Sequence, residues 1–150
     1  MNMSAQNETM QPIYSIEIST LSSLIAGNTY TRIEVQEAIG KPDPTTSGDW
    51  GTGYTEYNGI FYIFANVDSA GGTGHDYPNR WVGDSFEWPS KNKAKIDHPQ
   101  SKRLLSPNAV VRLFTRNTDR APFVYQGTAV ALNAWGEKPF RVVWERIAST

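Results

Sequence analysis

The chain contains no cysteine and only two histidines, His75 and His98. Without cysteine there are no disulfides, no thiolate zinc sites and no cysteine nucleophile, and the chain is compatible with a reducing compartment. The two histidines stand far apart in sequence. They form neither the histidine-plus-lysine arrangement of phospholipase-D-type nucleases nor the histidine–asparagine–histidine pattern of metal-finger nucleases, and His75 in "GHDYP" reads as a loop residue rather than a metal ligand. Long hydrophobic runs are missing too. No stretch approaches the roughly 20 apolar residues that span a bilayer, and "MNMSAQNETMQPIYS" has neither the basic start nor the apolar core of a signal peptide. These absences predict a cytoplasmic protein without a membrane partner. "GTG" (51–53) and "GGTG" (71–74) lack the following Lys-Ser/Thr pair that grips phosphate and magnesium, so both read as turns. No G-x-S-x-G elbow occurs. The expectation is a non-enzyme with no metal and no cofactor.

What is present is a turn-rich globular composition. Among 150 residues are 5 Trp, 7 Tyr and 6 Phe, with 12 Gly and 9 Pro. That length fits one domain, since two would each be too small to bury a good core. The polar segment 1–12 reads as a disordered tail and 13–150 as a single domain. Thr31 with Glu34 three residues on is a capping-box pattern, and Gly40 with Pro42 stops the turn, which predicts a short helix from Arg32 to Ile39. Ile13, Ile16, Ile18 and Leu21 fit a strand or a second helix. Five segments rich in β-branched and aromatic residues read as strands: 59–67, 84–88, 109–116, 122–132 and 140–147. The fold class expected is β-rich α+β, an antiparallel sheet curled into a barrel or pseudobarrel with one or two N-terminal helices.

Charge is distributed unevenly along this nearly neutral chain. From Met1 to Asn79 two bases face nine acids, whereas from Arg80 to Arg120 nine bases face four acids. Within the basic half, "FEWPSKNKAKI" runs from Phe86 and Trp88 directly into Lys91, Lys93 and Lys95. In extended backbone those lysines project to one side about 7 Å apart, near the phosphate repeat of one nucleic-acid strand, while Asn92, Ala94 and Ile96 face the other side. Lysines that protect an edge strand from aggregation would look the same. Trp50, Tyr54, Tyr57, Tyr77, Trp81 and Trp88 lie in Gly-, Asp- and Asn-rich surroundings. Rings beside a basic track are what stacking an unpaired or flipped base requires, although each ring taken singly also suits a core. Asp49 and Asp84 are candidate acceptors for an exocyclic amine and, equally, turn caps.

The segments "GDWGTGY", "RWVGDSFEWPSKNK" and "APFVYQGTAVALNAWGEKPFRVVWER" resemble a known family. It is the target-recognition domain, long catalogued as of unknown function, of modification-dependent restriction proteins, where it accompanies phospholipase-D-type nuclease and helicase modules or metal-finger nucleases. The shared pattern runs from about Tyr30 to Glu145. Its most specific part is Phe86, Trp88, Ser90, Asn92 and Lys93, followed by Pro122, Phe123, Tyr125 and Gly127, then Pro139, Trp144 and Glu145. The resemblance implies a PUA- or SRA-like DNA-reading module that senses a modified base in duplex DNA by flipping it into an aromatic pocket. Its partners would be double-stranded DNA carrying that base and a nuclease domain or subunit. Only Trp88, Ser90, Asn92 and Lys93 are carried over by position. Adding Trp50, Tyr54, Tyr57, Trp81 and Asp49 to the base pocket is an inference from composition, as is assigning Arg80, Lys91, Lys95, Lys102 and Arg103, with Lys93, to DNA phosphates. No nuclease or helicase motif is present, which fits a stand-alone reader or a domain of something longer. The competing reading is a β-barrel domain that binds protein or a small ligand and has no nucleic-acid role.

Overall fold

The structure, a computed structural model, describes residues 24–67, 79–90, 94–137 and 139–148. The elements in chain order are β1 (Thr29–Tyr30), α1 (Arg32–Ala38), a 3₁₀ turn (Gly48–Gly51), β2 (Tyr54–Tyr57), β3 (Ile60–Asn66), β4 (Arg80–Val82), β5 (Ser85–Pro89), α2 (Pro99–Leu105), β6 (Val110–Arg116), β7 (Phe123–Trp135) and β8 (Arg141–Ala148). The α+β, β-rich class expected from sequence is the one observed. The disordered-tail expectation, the segment from Ile13 to Leu21, and Tyr77 and His75 lie outside the described residues.

All eight strands join one sheet in the order β2-β3-β6-β7-β8-β5-β4, with β1 pairing β7 off this path. The path has two free ends, so among the described residues the sheet forms an open pseudobarrel. Every pairing is antiparallel except β3 with β6, which run parallel from Ile60↔Val110 to Asn66↔Arg116. The expected antiparallel sheet thus contains one parallel pair. A parallel pair needs a long crossover, and β4, β5 and α2 lie in that crossover.

Local chemistry accounts for the element ends. The capping box at Thr31 is formed in both directions, the Thr31 hydroxyl accepting from the Glu34 N–H and the Glu34 carboxylate accepting from the Thr31 N–H at 2.8 Å. Asn58 and Gly59 both take positive φ (51° and 78°), which gives the two-residue turn that matches strand twist between β2 and β3. Helix α2, which was not expected from the sequence, has Pro99 in its first turn and follows the lysine segment.

The sheet is two-sided, and each face has its own core. On β3, Phe61, Ile63 and Ala65 join one cluster with Phe86, Trp88, Leu113, Val142 and Trp144, while Tyr62 and Phe64 join a second with Val35, Trp50, Phe114, Phe123 and Tyr125. Helix α1 covers the second core with Val35, Ala38 and Ile39, and α2 adds Leu104 to the first. Strand β7 passes from one core to the other. Tyr125 pairs with Phe114, yet Thr128 pairs with Arg112, so β7 carries one extra residue there, with Gly127 at φ 89°. This bulge turns Phe123 and Tyr125 toward the second core and Ala129 toward the first.

Candidate nucleic-acid interface

The residues proposed from sequence for a base pocket do not converge. Trp88 is 3% exposed, with its ring against Tyr54 at 5.2 Å and Trp144 at 6.1 Å. Trp50 and Tyr57 belong to the second core, on the opposite face, with ring centroids 6.4 Å apart. The expectation that Trp50, Tyr54 and Trp88 present stacking faces is therefore corrected. All three are buried, Tyr54 and Trp88 because strand alternation points them into the first core and Trp50 because the 3₁₀ turn lays it on the second, whatever the polarity of their sequence neighbours. Burial, and then the charge of Asp49, raises the Tyr54 pKa. Ser90 is buried as a structural link, its hydroxyl accepting the Phe140 N–H at 3.1 Å while its own N–H donates to the Phe140 carbonyl at 2.8 Å. Asp49 lies exposed in the 3₁₀ turn, where its carbonyl accepts from Thr52.

The backbone-contact residues divide as well. Lys91, Asn92 and Lys93 lie outside the described residues, so the lysine row is represented by Lys95 alone. Ala94 and Ile96 pack against the first core. Arg103 is engaged by Glu56 at 2.8 Å, and Arg80 lies 3.8 Å from Glu87, which also meets Arg141 at 3.4 Å. These pairs already satisfy two of the arginines expected to meet phosphates. Lys102 is exposed on α2.

Trp81, by contrast, lines a cavity. It is half-buried on β4, tilted over Phe86 at 4.9 Å, with the Arg146 guanidinium 5.3 Å from its centroid. Beside it is a cleft of about 470 Å³ lined by Val67, Thr115, Arg116, Val124 and Gln126 among others. Gln126 bridges its polar wall, its amide nitrogen donating to the Thr115 hydroxyl at 2.9 Å and its amide oxygen accepting from Arg146 at 3.2 Å. A second cleft of about 760 Å³ shares Gln126 with it and is bounded by Gly27, Asp84, Ser85, Tyr125, Glu145 and Arg146. It opens where β1, paired with Phe123 and Val124, gives way to β8, paired from Thr128 onward.

Arg116, the last residue of β6, lies between that first cleft and a smaller cavity of about 160 Å³, which it lines with Arg32 and Arg120. Burial foremost, and then Arg116, lowers the Arg32 pKa to about 10, so it remains a cation at neutral pH. Burial lowers the Arg116 pKa too, opposed by Asp119 at 3.5 Å. Deeper on the same face, Arg112 is buried and donates to the Tyr125 hydroxyl. Burial foremost pushes the Tyr62 pKa up to about 12, and that of Tyr125 upward, which keeps both phenols neutral. Among the described residues no group of three His, Asp or Glu could hold a metal ion, and no helix is long and apolar enough to cross a membrane.

Comparison with solved structures decides the fold type. The DNA modification-dependent restriction endonuclease AspBHI superposes with a TM-score of 0.57 at 12% identity, over 83% of this chain and 75% of that chain. KRYPTONITE in complex with mCHH DNA gives 0.56 at 10% identity, over 85% of this chain but 32% of that much longer one. The SUVH5 SRA domain in complex with methylated CHH DNA gives 0.53 at 15%, over 83% and 89%. The fold is SRA-like. No family model and no curated protein sequence matches the chain. In this SRA-like sheet the functional candidates that sequence reading missed are Thr115, Gln126 and Arg146 beside Trp81, and Arg32, Arg116 and Arg120 beyond it. The signal available was the alternation of Arg112, Phe114 and Arg116, which places two arginines and a ring on one face of β6.

Proposed function

We propose that the chain is a DNA-reading module that recognises a modified base in duplex DNA, as the specificity element of a modification-dependent restriction system whose nuclease is another domain or subunit. The observation that carries this reading is the juxtaposition, in an SRA-like fold, of the half-exposed Trp81 ring with the Gln126 amide and Thr115 hydroxyl around a 470 Å³ cleft that ends on Arg116. That volume falls within the roughly 300–1,000 Å³ of sites that enclose small organic molecules. A base flipped from the duplex would stack on Trp81, and Gln126, with both a donor and an acceptor, would meet its polar edge. Asp84 and Glu145 in the adjoining cleft supply acceptors for an exocyclic amine. Lys95 and Lys102, with Lys91 and Lys93 of the same basic segment, would contact phosphates and make affinity salt-dependent.

The test is a titration against one duplex carrying cytosine, methylcytosine, hydroxymethylcytosine or methyladenine at the same position, at two salt concentrations. The reading requires a preference for one modified base and a steep loss of affinity with salt. The protein-interaction alternative has an observation of its own, the exposure of Leu132, Trp135 and Ile147 on β7 and β8. It predicts no salt-dependent DNA binding.

A further inference from the structure

The arginines around the smallest cavity have no part in base stacking, and their arrangement calls for an explanation. Arg32 begins α1, Arg116 ends β6, and Arg120 lies in the turn before β7 with φ 67°, a backbone conformation rare for residues other than glycine. Neutral groups position the first two. Arg32 donates to the carbonyls of Trp50 at 3.2 Å and Thr52 at 2.7 Å, and its guanidinium lies over Phe64 at 4.7 Å and Phe123 at 5.1 Å. Arg116 donates to the Asn66 side-chain oxygen at 2.6 Å and the Ala121 carbonyl at 3.1 Å, and lies 4.2 Å from the Phe123 centroid. The Phe123 ring thus interacts with two like charges. The carboxylates nearby are Asp119, half-exposed beside Arg116, and Glu34, whose oxygen is taken by the Thr31 N–H.

We propose that the cavity bounded by Arg32, Arg116 and Arg120 is the seat of a single phosphate group. Arg32 and Arg116 repel one another in partly buried surroundings, with Arg120 exposed at the rim, and a bound anion removes that cost while using planar donors suited to phosphate oxygens. Thr31 and Thr46 also line the cavity. The Thr31 hydroxyl accepts from Glu34, which leaves its proton for donation to an anion. At about 160 Å³ the cavity is below the size that takes a drug-sized molecule, and it suits one tetrahedral oxyanion. The phosphate group could belong to the DNA backbone or be free in solution. Because Arg116 lines both this cavity and the cleft beside Trp81, the DNA phosphate would be one flanking the recognised base, an assignment that rests on the proposed function.

Arg120→Gln is the variant of choice, because Arg120 is exposed and its loss leaves the tethers of Arg32 and Arg116 in place. Inorganic phosphate binding is measured by calorimetry, and duplex binding by fluorescence anisotropy across a salt series. The seat predicts that the wild-type protein binds phosphate and that Arg120→Gln, which removes one charge-assisted contact, weakens this at least about tenfold. Asp119→Asn, which removes the competing carboxylate, strengthens it. If the phosphate is in DNA, Arg120→Gln also lowers the slope of log affinity against log salt by about 1, with the preference for modified over plain duplex unchanged. Phosphate binding that is sensitive to Arg120, without any duplex binding, keeps the seat for a free ion and ends the DNA reading. Duplex discrimination with a normal salt slope in Arg120→Gln, and no phosphate binding, overturns the seat and leaves that reading intact. No binding of either ligand overturns both.

Discussion

Replacing Trp81 by alanine tests the base site most directly. The indole is half-buried, packs on Phe86 at 4.9 Å and has the Arg146 guanidinium 5.3 Å over its ring, so truncation removes one aromatic pair and one cation–π contact from the margin of the first core. Such a pair is worth about 0.5–1.5 kcal/mol beyond the area it covers, and Phe86 keeps Trp88, Val142 and Trp144 as fellow members of the first core, so the variant is expected to fold. On DNA the loss is that of one base–aromatic stack, about 1–3 kcal/mol, or roughly 5- to 150-fold in affinity. It should fall on the modified duplex alone, because plain DNA held through its phosphates does not need the ring. Competition anisotropy with matched duplexes measures the ratio, and a thermal melt of each variant checks the fold. Trp81→Phe keeps a smaller ring and should recover part of the preference. Equal loss on plain and modified DNA would show that the ring supports only the scaffold, and the reasoning about the cleft would fail.

Three further outcomes concern the scaffold of the site. Gln36 is fully buried, and its amide donates to the carbonyls of Arg32 and Thr45 and accepts from the Thr45 N–H. Gln36→Leu therefore strands two backbone groups of the loop before the 3₁₀ turn, and should cost roughly 2–4 kcal/mol in chemical denaturation. A Cβ on Gly51 would stand 2.2 Å from the Thr46 carbonyl oxygen, so Gly51→Ala should destabilise by about 1–3 kcal/mol and loosen the turn that carries Trp50, read by a lowered melting temperature. Tyr62 titrates near 12 in the folded chain, above the ordinary value of 10.0, so folding retains its proton and its contribution to stability is full below about pH 10 and lost as pH rises to about 12. Arg32, lowered to about 10, changes in the opposite sense over that window, so the comparison is with Tyr62→Phe, which should show a shallower alkaline loss than the wild type in denaturant titrations.

The sequence disclosed strands well and neighbours poorly. Strands β3, β6, β7 and β8 lie within two or three residues of the segments read from β-branched and aromatic runs, and the Thr31–Glu34 box located α1, because those signals are local. Periodicity states which face a residue occupies but not which strand lies beside it, so the parallel β3–β6 pairing was not legible. Asn58-Gly59 and Pro99 were local signals passed over, and with them β2 and α2. The candidate site was misread for a related reason. Polar neighbours around Trp50, Tyr54 and Trp88 suggested exposure, but a sheet with a core on each face buries rings that point either way. Arg32 and Arg116 meet only because β6 lies beside β3 and α1 packs over the second face, a convergence absent from any short window of sequence.

The bulge at Gly127 means that β7 is clamped twice, by unrelated sets of side chains, on either side of Gln126. Shifting the backbone at Gln126 would demand slippage in both packed layers at once, and the amide itself is held by Thr115 and Arg146. Under the proposed function such a mount would discriminate by refusing misfits, and exchanging side chains along the cleft would retune what it accepts while the beam that carries them stays still.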